Sequence, residues 1–281
     1  FSRIFSLEEF YWNEAIDMIS YVNKMRLKKA KKVIGILLRN PRKITRVINP
    51  EEDYFKYVMK QYSMDEGLPI KDIFSLCPKF DGVVNPYCFT EGAALDIEMA
   101  AIRALAKEYP EGRYLEIGPY LGETTANVAK VIKDCTAIDV DTSDEVGKFC
   151  KGYDNVKLII DNSITIDWSK LGHFDLIFID GDHKYHAIKS DTENAFKALK
   201  PGGTIVWHDY ITRFMTLMEG KHVRWEVLAA ILDGTPKDKR KNLYYMSNTM
   251  SAIYKEGDFK EVGELDNVFE VKIKKVKEFE N

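Results

Sequence analysis

Residues 114–124 read Tyr-Leu-Glu-Ile-Gly-Pro-Tyr-Leu-Gly-Glu-Thr, and this stretch decides the fold. Leu115 and Ile117 form an apolar strand end, Gly118 and Gly122 permit an unusual backbone dihedral or close approach to a ligand, and Thr124–Val131 continues as a helix. A strand, turn and helix in this order open most nucleotide-binding α/β folds. A dinucleotide site, however, wants Gly-x-Gly-x-x-Gly so that a pyrophosphate can sit on the helix N-terminus. Counted from Gly118, the second and third glycine positions are Tyr120 and Glu123. A phenol and a carboxylate are poor neighbours for a doubly charged pyrophosphate.

The turn suits a positively charged ligand without phosphates, a description that S-adenosylmethionine fits. Glu116 at the strand end suits the ammonium of its methionine part, through water or backbone groups. Gly118, Pro119, Tyr120, Gly122 and Thr124 are the candidate turn contacts. By itself the pattern also describes an ordinary tight connection, and the next elements add to it. Cys135–Val140 is a second apolar strand, and Asp139, 21 residues after Gly118, stands where a strand-end acid accepts both ribose hydroxyls, with Asp141 as neighbouring alternative. Asn155–Ile160 is a third strand ending in Asp161, Asn162 and Ser163, of which Asn162 and Ser163 are candidates for an adenine edge.

The segment Phe174–Tyr210 carries the reactive groups. A buried strand over Leu176–Ile179 ends in Asp180, Asp182 and His183; a helix runs from about Ala187 to Leu199; Pro201-Gly202-Gly203 turns into another buried strand ending in His208-Asp209. Two neighbouring strands thus deliver carboxylates and imidazoles to one carboxyl edge, where open α/β sheets bind ligands.

From Glu116 through Gly122, Asp139, Ile179-Asp180-Gly181-Asp182-His183, Lys200-Pro201-Gly202-Gly203 and His208-Asp209-Tyr210, the chain resembles the class I S-adenosylmethionine-dependent methyltransferases. More narrowly it is similar to the branch of macrocin-type sugar O-methyltransferases and proteins named cephalosporin hydroxylases, relatives of the catechol and caffeoyl-CoA enzymes. The resemblance covers roughly residues 90–255 and implies a Rossmann-like, seven-stranded α/β sheet with helices on both faces and an antiparallel last hairpin, here with an N-terminal helical extension. It also implies a magnesium ion that acidifies the acceptor hydroxyl. Asp180 and Asp209 match the ligand positions, with His208 where relatives carry another acid, a departure that admits manganese. His183 matches the position of the lysine that takes the acceptor's proton; an imidazole with an unperturbed pKa near ~6.5 suits that work. Asp180 shares the catalytic role through the metal, and stands beside the cofactor. Asp182 is expected to orient His183, to complete the metal's shell or to face water. His173 and His186, without motif support, are expected at the surface.

Composition agrees with such an enzyme. The 281 residues leave room for one α/β core plus additions, 45% of them are hydrophobic, and the net charge of −3 gives no drive toward nucleic acid. The four cysteines, Cys77, Cys88, Cys135 and Cys150, make no Cys-x-x-Cys pair and read as reduced thiols in a cytoplasmic setting. No apolar run is long enough to span a membrane. The chain begins with Phe rather than Met, which leaves a removed leader open.

Residues 1–89 read as a helical extension and lid, and 90–281 as the methyltransferase domain. A helix opens at Ser6, and another at Asn49-Pro50. Between Arg26 and Arg46 there are nine Lys or Arg residues and no acid, so the other 260 residues carry a net −12. Leu27, Ala30, Val33, Ile34, Leu37 and Leu38 run through that stretch as an apolar stripe. Such a helix suits an anionic membrane surface, with a lipid-linked glycan as acceptor, or packs on its own core or a second subunit. Pro69–Tyr87 reads as a long loop before a helix over Thr90–Glu108, with Phe80, Tyr87 and Phe89 as aromatics for the acceptor or the core. A helix is expected over Val223–Leu232, paired strands over Leu243–Ser247 and Met250–Lys255, and a further strand over Val268–Val276. The acceptor is expected to be a small molecule or glycan hydroxyl. A metal-independent methyltransferase and a non-catalytic cofactor-binding subunit are the competing readings.

Overall fold

The computed structural model describes residues 50–84, 94–212 and 223–263. The basic stretch, the first helix, Tyr87, Phe89, Cys88 and the strand expected over Val268–Val276 lie outside them. The chain divides into two compact units, 1–53 and 54–281. Of the first, only 50–53 are described, the opening of helix α1 (Pro50–Tyr62). Pro50 supplies a preset φ at the first position, while Glu51, Glu52 and Asp53 face the positive end of the helix dipole.

The family resemblance implies seven strands; the described residues form eight, in the order β1-β7-β8-β6-β5-β2-β3-β4. The strands are β1 (Ile70–Lys71), β2 (Arg113–Ile117), β3 (Asp134–Asp139), β4 (Val156–Ile160), β5 (Phe174–Ile179), β6 (Leu199–Trp207), β7 (Leu243–Met246) and β8 (Ala252–Tyr254). Neighbours pair in parallel, except that β8 runs antiparallel to both β6 and β7. The additional strand comes from the segment read as a loop. Two residues carry no periodicity, yet the Pro69 carbonyl accepts from Tyr245 N at 2.9 Å and the Lys71 carbonyl from Ser247 N at 3.0 Å. The same segment holds helix α2 (Ile73–Leu76), whose N-terminus Asp72 caps through Ser75 N at 2.9 Å. Pro201-Gly202-Gly203, read as a turn into the strand, lies inside β6, and the irregularity appears as a register shift against β5 between Phe174 and Leu176.

Central strands buried on both faces read as continuous apolar runs. Alternation sends Leu115, Ile117, Ile177, Ile179, Ile205 and Trp207 to one face, under α5 (Tyr185–Ala198) and α6 (Trp225–Gly234). Tyr114, Cys135, Leu176, Phe178 and Val206 go to the other, under α3 (Asp96–Ala106) and α4 (Glu123–Ala129). The helix expected from Thr90 is described from Asp96. Phe80 packs against this second core, edge-to-face with Phe74 at 5.3 Å between centroids. Cys77, Cys135 and Cys150 are free and buried. Among the described residues no helix is long and apolar enough to cross a membrane.

Candidate active site

Sheet register builds the site. Ile117 is level with Ile138 on one side and Ile179 on the other, and Ile179 with Trp207. The ladder carries on one step: Gly118 N donates to the Ile138 carbonyl at 2.9 Å, Asp180 N to Ile117 at 2.8 Å and His208 N to Ile179 at 3.0 Å. Gly118, Asp139, Asp180 and His208 therefore form one row across the carboxyl edge.

The turn after β2 needs its glycines. Gly118 has φ +80° and Gly122, the N-cap of α4, φ +87°; even Tyr120 is left-handed at +49°. A Cβ on Gly122 would meet Cys150 Sγ at 2.8 Å, so the turn packs directly on the segment after β3. Pro119 and Thr124 are buried and Tyr120 is 54% exposed. Asp139 accepts Tyr120 N at 3.3 Å and Asp141 N at 2.9 Å, which fixes its carboxylate at the rim. Asn162 accepts Ile164 N at 2.9 Å, and Ser163 is buried, its carbonyl taking the Trp168 indole at 2.7 Å. Glu116 lies below this surface, 2% exposed, with Tyr114 and Thr125 donating to it. Burial, opposed by those two hydroxyls and reinforced by Asp180 and Glu123, pushes its pKa up to about 8.

One feature of this rim is absent from the sequence reading. Tyr120, Val140, Ile160 and Ile164 are large apolar side chains left exposed, and all stand at the carboxyl ends of β2, β3 and β4. An apolar surface beside the Asp139 carboxylate is what a purine next to a ribose requires. In the sequence, Val140 and Ile160 look like any strand-end apolar residue.

The acidic and imidazole edge is an alternating charge network. His208 Nδ1 lies 2.9 Å from Asp180 Oδ1 and 3.5 Å from Asp209 Oδ1, while Nε2 lies 3.2 Å from Glu98 Oε2. Asp209, left-handed at φ +57°, turns its other oxygen to Arg224 Nη1 at 2.6 Å and to His183 Nε2 at 3.5 Å. Burial opposes charge on His208, but Asp180 and Glu98 outweigh it and hold the imidazole well above its ordinary pKa. Burial likewise raises Asp180, with His208 opposing, whereas His208, Ser251 and Met250 overcome burial at Glu98 and lower it.

The structure thus brings Asp180, His183, His208 and Asp209 together and sets Asp182 apart. Asp182 is exposed and accepts Lys184 N at 3.2 Å; the carboxylate beside His183 is Asp209. His173 and His186 are exposed, as expected. Glu98 and Arg224 escaped the sequence reading, since each sits in an unremarkable helical stretch far along the chain from its partner.

The set implied for a divalent cation does not fit one as arranged. Asp180 is turned on His208 and Asp209 on Arg224, so the positive charge among these carboxylates already comes from the protein. Among the described residues no group of three or more His, Cys, Asp or Glu is placed to hold a metal ion.

Residues 115–210, about a third of the chain, match a family described as "Methyltransferase domain". The similarity is to that domain over the segment that runs from β2 to β6, which contains the row just described. No curated protein matches the chain. Solved structures it is similar to include the N-methyltransferase NodS from Bradyrhizobium japonicum WM9, at 20% identity over 57% of this chain and 95% of that one, with a TM-score of 0.40. The same protein in complex with S-adenosyl-L-homocysteine gives 18%, 66%, 97% and 0.43. An rRNA methylase from Streptococcus thermophilus gives 17%, 55%, 93% and 0.41.

Proposed function

We propose that the chain methylates a hydroxyl of a small molecule or glycan, with His183 as general base. The observation that carries this is the His183–Asp209 pair at the cofactor edge. His183 is partly exposed, so an acceptor can reach it, and Asp209 Oδ2 stands 3.5 Å from Nε2, so that an N–H at Nε2 turned to the carboxylate leaves Nδ1 as the proton-accepting nitrogen. Bound S-adenosylmethionine would supply the methyl group to the acceptor oxygen and keep the carbon–sulfur electron pair as it becomes S-adenosylhomocysteine, while His183 would take the acceptor's proton. The protein's part is to align oxygen, methyl and base and to exclude water from them. Asp139 serves the ribose hydroxyls, Val140 and Ile164 the adenine faces, Asn162 and Ser163 its edge, and Gly118 to Thr124 the methionine part. Glu116, engaged with Tyr114 and Thr125, acts beneath the turn.

A magnesium- or manganese-assisted form through Asp180, His208 and Asp209 is the second reading. It is favoured by one observation: neither ring nitrogen of His208 has a well-directed hydrogen bond. It requires the Asp209–Arg224 pair to open. The test is methyl transfer to a panel of phenols and sugars, with EDTA and then with added magnesium or manganese. Full activity in EDTA supports the His183 form and refutes the metal; loss restored by the ion does the reverse. Methylation of amines alone would refute the hydroxyl acceptor.

A further inference from the structure

Glu98 is fully buried, and its two oxygens serve different ends. Oε1 accepts from Ser251 Oγ and from Met250 N at 3.1 Å, both in the connection between β7 and β8; Oε2 lies 3.4 Å from Leu95 N, at the start of α3, and 3.2 Å from His208 Nε2. The first three contacts tie a helix start to a hairpin and need only an oxygen that accepts. The fourth differs in kind. A carboxylate taken wholly out of water is costly unless a cation faces it, and the cationic side chain set against Glu98 is His208.

The ring of His208 is held between two charge contacts rather than by directed hydrogen bonds, Glu98 at Nε2 and Asp180 at Nδ1, with Phe178 edge-on at 6.2 Å between centroids. Asp209, which stands beside His183, also lies against Nδ1. The His183 and His208 rings are 6.4 Å apart between centroids. A shift of the His208 ring displaces Asp180 and Asp209, and with Asp209 the partner of the base. Helix α3 precedes the segment that matches the methyltransferase family, so the site is completed from outside that segment.

We propose that Glu98 is a positioning residue for methyl transfer: it fixes the His208 ring, and through that ring the two carboxylates that frame His183. This rests on the hydroxyl-methylating function proposed above. A neutral oxygen would join α3 to the hairpin as well, so it is the charge on Glu98 that points to His208.

Glu98→Gln separates the two roles. The amide keeps an oxygen for Ser251 and Met250 and turns an N–H toward Nε2. Two measurements on the full chain test the proposal: steady-state methyl transfer to catechol and methyl glucoside with S-adenosylhomocysteine affinity measured alongside, and the nitrogen-15 resonances of the His208 ring. The expected result is a folded variant with unchanged product affinity, kcat lower by about 10- to 100-fold and a displaced Nε2 resonance. An unchanged kcat, or an Nε2 resonance that stays in place, overturns the proposal. Should the wild-type chain methylate neither probe, the hydroxyl reading fails on those acceptors, and the ring resonance decides the role of Glu98 by itself. Glu226→Gln, a buried glutamate that receives Tyr185 N on the opposite face, is the control expected to leave the resonance unmoved.

Discussion

Gly118 faces Asp180 so closely that a Cβ on the glycine would stand 2.7 Å from the Asp180 carbonyl carbon. The obstacle is backbone, which cannot swing aside, and φ at Gly118 is +80°. Gly118→Ala should therefore cost about 3 kcal/mol of stability and abolish measurable S-adenosylhomocysteine binding. Denaturant unfolding and calorimetry check both halves; a variant of wild-type stability would show that the turn can retreat from β5.

Asp139 should carry much of the cofactor's affinity. If Asp139 holds the ribose as proposed, Asp139→Ala removes its anchored carboxylate, and the expected loss is about 10- to 100-fold in S-adenosylhomocysteine affinity, or roughly 1.5–3 kcal/mol. Calorimetry measures it directly, and an unchanged affinity would place the ribose elsewhere.

At the reacting edge, His183→Ala and Asp209→Asn should each lower kcat, the first by about 100-fold or more and the second by a smaller factor, while cofactor affinity stays the same. Parallel loss of affinity would turn both into structural residues.

Glu116 gives a pH signature with a definite sign. Its folded pKa, pushed up to about 8, exceeds the ordinary carboxylate value, so the folded state holds a proton that the unfolded chain releases. Stability from this group is full below the unfolded value near ~4.5 and is lost progressively as pH rises through about 8. Glu116→Gln keeps an acceptor for Tyr114 and Thr125 and removes the titration. Its melting temperature should match wild type at low pH, exceed it increasingly as pH rises through the neutral range, and differ by a constant amount above about 8; a difference independent of pH throughout would refute the assignment.

Asp233 receives the hydroxyls of Tyr57, Tyr62 and Tyr185, which join α1, α5 and α6. Asp233→Ala should cost about 1–3 kcal/mol in denaturant unfolding, and Tyr62→Phe less, because two of the three hydroxyls keep their acceptor.

The central architecture was legible because parallel strands buried on both faces announce themselves as apolar runs, and because Gly118 and Gly122 mark a turn only they can make. Asp180, His183, His208 and Asp209 followed from their place at strand ends, where register alone brings them level. Partnership was not legible. Glu98 and Asp209 meet the two histidines across 110 and 26 residues of chain, and no local pattern encodes such a contact. Strand β1 was missed for a different reason, being shorter than any period that could reveal it.

That two-residue strand also governs what the sheet can do in company. Its outer side is taken by the chain's own residues: Val262 N donates to the Ile70 carbonyl at 3.2 Å, Asp72 N to the Lys260 carbonyl at 2.8 Å, and Lys71 pairs with Glu261 at 3.2 Å. An exposed strand rim is a template for unwanted growth from one molecule to the next. Among the described residues one rim is sealed by backbone cover, and the other, β4, carries the exposed charge of Lys157, so both rims bear features that deter edge-to-edge aggregation.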